Sequence, residues 1–195
     1  KIYTAQSDFA SPHIIEIEVD ISSKGIPGCT IVGLADKAIE ESRERIAAAL
    51  KNSGLAKIKQ KKIIVSLSPA HLKKEGPLFD LPIAIGMLLA DDENEISFEA
   101  NNKLFVGELA LDGSVKPIAG ALSIAHAAKE SGFTELYLPK VNADEASIID
   151  GVTIYGVSTI LELVLHLQQE KAETPNGEHL IEKTVYSPRD FKNGY

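Results

Sequence analysis

The chain has 195 residues, 44% of them hydrophobic and 25% charged. That is the balance of an ordinary folded domain with a sizeable core, one that needs neither metal nor disulfide staples. A net charge of −8 argues against a domain whose main task is gripping phosphate backbones, since that work requires a cationic face. No apolar run nears the length of a membrane span, no signal peptide is visible, and Cys29 has no partner cysteine, so a reducing cytoplasm is expected.

In chain order, H-I-I-E-I-E-V-D-I places Ile15, Ile17, Val19 and Ile21 on one face and Glu16, Glu18 and Asp20 on the other. This alternation predicts a half-buried strand with one wet face. Lys24-Gly25 and Pro27-Gly28 punctuate a turn, and C-T-I-V-G-L resumes as a second strand. From Asp36 the period changes to helical, with Ile39, Ile46, Ala49 and Leu50 on one stripe. Asp36 is positioned to cap the first turn and Gly54 to close the last. Glu41 and Arg45 have the spacing of a helical ion pair worth only about 0.2–0.5 kcal/mol, so the apolar stripe must hold this helix. The charges around that stripe read as a solvated face, with a subunit contact as the other reading.

The run K-I-K-Q-K-K supplies Lys57, Lys59, Lys61 and Lys62, a local exception to the acidic balance. It reads either as a solvated approach to a strand or as a phosphate contact. I-I-V-S-L-S-P is a short apolar strand ending at Pro69. Lys73 and Lys74 then lead into a Gly76-Pro77 turn, after which Asp80 occupies an N-cap position and Pro82 the first helical turn. The helix Leu81–Ala90 is apolar nearly all round and is therefore predicted to be buried. D-D-E-N-E, carrying Asp91, Asp92, Glu93 and Glu95, reads as a solvated loop without the ligand spacing of a calcium loop.

Further on, L-F-V-G-E-L-A-L-D-G-S-V-K-P-I predicts a hairpin turning at Asp112-Gly113, and an alanine-rich helix runs from Ala119 to Ser131, closed by Gly132. T-E-L-Y-L-P and V-T-I-Y-G-V are strands. Thr159 and Glu162 have capping-box spacing ahead of L-E-L-V-L-H-L. From residue 170 the pattern dissolves into charge, Thr-Pro and Asn-Gly, a linker composition. Residues 1–169 are thus expected to form one α/β domain with a mixed sheet, and residues 170–195 a linker. The chain opens at Lys1 rather than methionine, which fits a piece of a longer protein.

Several chemistries have no matching motif. There is no G-x-x-x-x-G-K-[ST], no G-x-G-x-x-G, no H-E-x-x-H and no G-x-S-x-G. His126 and His166 lie on predicted helices and read as structural, and no metal site is expected.

Two segments in order and spacing, G-P-L-F-D-L-P-I-A-I-G-M-L-L-A and V-G-E-L-A-L-D-G-S-V-K-P-I-A-G-A-L-S-I-A-H-A-A-K-E-S-G-F-T-E-L-Y-L-P-K, resemble the proteolytic domain of Lon and the Lon-like domain of RadA. Upstream, K-G-I-P-G-C-T-I-V-G-L-A-D-K-A-I-E-E-S-R-E-R-I-A-A-A-L-K-N-S-G is similar to the start of the ComM/YifB proteins, also labelled magnesium-chelatase-related or ChlI-like. The likeness runs from about Ile2 to Leu167. It implies a ribosomal-protein-type α/β sandwich placed before an AAA+ ATPase domain, which would carry the ATP and Mg. In such a protein the whole is expected to form a hexameric ring acting on DNA, with branch migration in natural transformation as the linked process.

The resemblance also says where a protease site belongs. Lon's nucleophile follows the Gly-Pro, which is Leu78 here, and its lysine base corresponds to Leu122. A Ser-Lys dyad needs an oxygen nucleophile and an amine with lowered pKa, and two leucines supply neither. The expected role is therefore non-catalytic, with Gly76, Pro77 and Asp80 kept as a structural turn and cap. Lys57, Lys59, Lys61, Lys62, Lys73 and Lys74 are the candidates for DNA contact. A displaced dyad of Ser66 or Ser68 with Lys73 or Lys74 is the peptidase alternative, and a magnesium-chelatase role is the third reading.

Overall fold

In the computed structural model, residues 1–7, 12–55, 61–93, 96–171 and 181–185 are described. The strands are β1 (Ile2–Ser7), β2 (Pro12–Ser22), β3 (Gly28–Val32), β4 (Lys62–Ser68), β5 (Lys103–Phe105), β6 (Glu108–Leu109), β7 (Val115–Lys116), β8 (Glu135–Pro139), β9 (Thr153–Val157) and β10 (Lys183–Thr184). The helices are α1 (Lys37–Asn52), α2 (Asp80–Ala90), α3 (Ala121–Glu130), α4 (Ala143–Ala146) and α5 (Ile160–Lys171). Eight strands form one sheet in the order β10-β9-β8-β5-β1-β2-β4-β3, while β6 and β7 pair as a separate hairpin. Neighbours from β1 through β5 and β8 to β9 run parallel, as do β3 and β4; β1–β2, β2–β4 and β9–β10 run antiparallel. The fold is mixed α/β, as expected.

The two kinds of apolar pattern in the sequence occupy different halves of this sheet. Helices α1, α2 and α5 cover one face of it, burying Ile39, Ile46, Leu50, Ile83, Leu88 and Leu163 against Ile17, Val65 and Phe105. Helices α3 and α4 cover the other face over β1, β5, β8 and β9 and over β2 at Ile14, burying Ile124, Ala128 and Ala146 against Leu104, Leu136 and Ile154. A strand covered on both sides must be apolar throughout, and Leu136, Tyr137 and Leu138 are all buried. On β2 only Ile15 and Ile17 are fully buried, and Glu18 and Asp20 face solvent. Register follows from the same pattern: Ile17 sits opposite Leu67 and Val19 opposite Val65, and a slip by one residue would drive the acidic set into the core.

Local signals set most helix ends. Asp36 Oδ1 accepts the Ile39 N–H at 2.9 Å, and Gly54, at φ 71°, follows the last turn of α1. Thr159 Oγ1 accepts the Glu162 N–H at 3.1 Å, but Glu162 reaches back to the Ser158 N–H at 2.9 Å, so the capping box is shifted by one residue. The second strand of the sequence reading, β3, does not pair with β2, because β4 inserts between them and bonds to both. The expected long hairpin is likewise shorter. Lys103–Phe105 joins the main sheet, leaving β6 and β7 around Asp112-Gly113. Part of the expected linker returns to the body. Ile181 is buried, its N–H donates to His166 Nδ1 at 3.3 Å, and β10 pairs with β9.

One glycine is dictated by close approach. Gly33 has φ 112°, and a Cβ there would lie 2.1 Å from the Leu67 carbonyl oxygen. Gly33→Ala is expected to destabilise the domain by well over about 1 kcal/mol, read as a lower urea midpoint at unchanged slope.

Candidate functional site

The Gly-Pro turn sits where two loops are bolted together, the one leading from β3 to α1 and the one leading from β4 to α2. Lys74 donates its backbone N–H to the Leu34 carbonyl at 3.1 Å, and its own carbonyl accepts the Asp36 N–H at 3.1 Å. Its side chain is wholly buried, and its Nζ donates to the Gly33 carbonyl at 2.7 Å and to the Pro69 carbonyl. Burial holds this ammonium below the ordinary lysine pKa. From the sheet, Gln6 grips the residues on either side, donating from Nε2 to the Lys73 carbonyl at 3.1 Å and accepting the Glu75 N–H at Oε1, 2.9 Å. Asp36 does double duty: Oδ1 caps α1, and Oδ2 accepts the Gly76 N–H at 3.0 Å.

Gly76, at φ 86°, then turns the chain into a short 3-10 turn, Pro77–Phe79, which runs directly into α2. Leu78 lies on that turn, half-buried and packed against both hydrophobic cores. Its carbonyl accepts the Gly107 N–H at 3.0 Å. Leu122 is on the first turn of α3, 39% exposed, with its backbone N–H donated to Glu145 Oε1 at 3.1 Å. Neither position offers a nucleophile or a base, and the turn geometry stands without them.

Asp80 is not the cap that its place in the sequence suggests. It is the first residue of α2 and makes no capping bond. Its fully buried carboxylate instead receives Arg45 Nε at 2.8 Å and Nη2 at 3.0 Å, and the Leu109 N–H at 3.2 Å. The expected Glu41–Arg45 pair is thereby displaced. Arg45 turns inward to tie α1 to α2 and to the β6–β7 hairpin, and Glu41 pairs with Lys37 at 3.7 Å. Burial pushes the Asp80 carboxyl up to about 6 against the downward pull of Arg45 and the Leu109 N–H.

The six lysines do not form one surface. Lys61 is buried, with Nζ 2.5 Å from Asp91 and 3.1 Å from Glu93, so part of the acidic loop is an internal partner. Lys74 is spent on two carbonyls, as above. Both are corrections to the sequence reading, because a side chain consumed inside the fold has no charge to offer a phosphate. Lys62 is exposed, and Lys73 is exposed beside Glu75 at 2.5 Å. Lys57 and Lys59 lie outside the described residues. Sequence reasoning missed Gln6 and gave Arg45 the wrong partner, because their true partners lie 67 or more and 35 residues away.

Fold and turn together define a mixed α/β domain whose Gly76-Pro77 turn carries Leu78. The profile of the family described as "ChlI: Subunit ChlI of Mg-chelatase" matches residues 17–142. The chain is 40% identical over 171 residues to the competence protein ComM of Haemophilus influenzae, covering 87% of this chain and 33% of that protein. It is 42% identical over 137 residues to the uncharacterized protein YifB of Escherichia coli, covering 70% and 26%. Lon protease 2 of Bacillus subtilis is 27% identical over 171 residues, covering 79% and 30%. The chain belongs to the ChlI family of magnesium-chelatase-related AAA+ proteins, among its ComM/YifB members. It spans a third or less of the length of these relatives.

The raised Asp80 carboxyl gives stability a sign with pH. Folded Asp80 holds its proton up to about pH 6, whereas the ordinary value is 3.8. In that window the folded state carries more protons, so its contribution is full below pH 4 and is lost as pH rises through 6. The urea-derived stability of wild type relative to Asp80→Asn is expected to decline across the window by on the order of 2 kcal/mol.

Proposed function

We propose that residues 1–169 are the non-catalytic N-terminal domain of a ComM/YifB-type AAA+ ATPase. In the full protein the domain helps to assemble the ring and positions DNA beside the motor. Its partners are its own AAA+ domain, which supplies the ATP and Mg site, further copies of the same chain in a hexamer, and DNA. The setting is the cytoplasm, and no helix among the described residues is long and apolar enough to cross a membrane.

The observation that carries this reading is Leu78. The turn that would present a nucleophile is held by Gln6, Asp36 and Lys74, yet the residue on it is a leucine packed into two cores. Where a serine nucleophile and its lysine base are both missing, the loss in turnover is on the order of a million-fold. A displaced dyad fares poorly as well, because the hydrogen bonds of Lys74 Nζ run to backbone carbonyls rather than to a serine hydroxyl.

Incubated with ATP and casein, the full-length protein is expected to leave the substrate intact, with Ser66→Ala and Ser68→Ala indistinguishable from wild type. ATP-dependent degradation abolished by either variant would overturn the reading. Removing residues 1–169 is expected to weaken ring formation in sedimentation while leaving basal ATP hydrolysis measurable. For DNA, Lys62→Glu with Lys73→Glu should lower affinity and flatten its salt dependence by about one to two phosphate contacts. An unchanged salt slope would remove these two lysines from the interface.

A further inference from the structure

Strand β3 ends the sheet, and among the described residues no strand pairs with its outer side. Its parallel ladder to β4 begins with the Gly28 N–H donated to the Lys61 carbonyl at 3.1 Å. Alternate residues of a strand bond to the same neighbour, so Gly28, Thr30 and Val32 spend their backbone groups on β4, whereas Cys29 and Ile31 turn theirs outward. The Cys29 carbonyl is met there by Arg43 Nη1 at 3.0 Å.

Natural sheets protect such an edge with charge, proline or a bulge. G-C-T-I-V carries no charge and no proline and runs in unbroken register. Around it stand exposed apolar side chains: Ile26 at 88%, Leu34 at 57% and Val32 at 45%. Leu34 is held at φ 54°, a conformation costing a non-glycine residue about 1–3 kcal/mol, and the Lys74 N–H bonded to its carbonyl keeps it there.

We propose that β3 pairs antiparallel with β3 of a second copy of this chain, across a two-fold axis at Thr30. The occupant follows from the strand's complementarity to itself. With Thr30 opposite Thr30, Cys29 falls opposite Ile31 as a hydrogen-bonded pair, matching the residues whose amide groups point outward. Val32 then lies opposite Gly28, where an added Cβ would meet no atom within 4 Å, so the bulky residue faces open space. Arg43 either shares the Cys29 carbonyl, which has two lone pairs, or swings aside. An isologous contact closes on itself, so this pairing joins two copies and does not depend on the ring described above.

Sedimentation of the chain should give twice the monomer mass. Thr30→Lys and Thr30→Asp each place like charges face to face on the axis and should give folded monomers by circular dichroism, and mixing the two should restore the dimer. Thr30→Cys in a Cys29→Ser background should form an intermolecular disulfide, since non-hydrogen-bonded antiparallel pairs hold their Cα atoms about 4.5 Å apart, within disulfide reach. Val32→Cys in the same background should not. A wild-type monomer at every concentration overturns the proposal. So does a dimer indifferent to both charge variants, a mixture that stays monomeric, or a Thr30→Cys chain that fails to cross-link.

Discussion

An ammonium group in the dry interior anchors the rest of this structure. An isolated buried charge is too costly to keep, so Lys74 must be compensated on the spot, and the compensation comes from the backbone of two loops. Gly33 and Pro69 lend their carbonyls, and the surrounding backbone of Leu34, Ala35 and Asp36 is pulled into register with Lys74. That fixes the start of α1, and through the second oxygen of Asp36 it fixes the Gly-Pro turn and the entry to α2. The Arg45–Asp80 pair then locks the two helices to each other and to the small hairpin.

Much of this was legible in the sequence wherever the cause was local. The α1 stripe, its Asp36 cap, the all-apolar α2 and the wet face of β2 each follow from a period or a cap within one element. The Gly76-Pro77 turn was equally plain. What stayed hidden depends on partners distant in sequence. Asp80 reads as a cap because nothing near it announces Arg45. Lys61 and Lys74 read as surface charges because lysine usually is one, and only the fold supplies Asp91 or two converging carbonyls. The insertion of β4 between β2 and β3 is a matter of pairing, which alternation cannot encode. Ile181 and the two-residue β10 are too short to rise above a linker-like composition.

The persistence of this polar framework around Leu78 separates two uses of one turn. The backbone of the turn is fixed by Gln6, Asp36 and Lys74, independently of the side chain at position 78. What the domain presents outward is its surfaces. Those surfaces are unequal: one sheet edge has no strand beside it among the described residues and is flanked by exposed apolar side chains, and the described part of the lysine-rich stretch is partly consumed inside the fold.

The uncovered half of the sheet has an electrostatic consequence. Helix α3 reaches β2 only at Ile14, which leaves Glu18 and Asp20 exposed farther along the strand, with Lys1 3.5 Å from Glu18. Exposed carboxylates repel polyanions over a Debye length, about 8 Å at physiological salt. Lys62, in register with Ser22 on the same face, interrupts that field, so a polyanion meets the least repulsion at this end of the sheet.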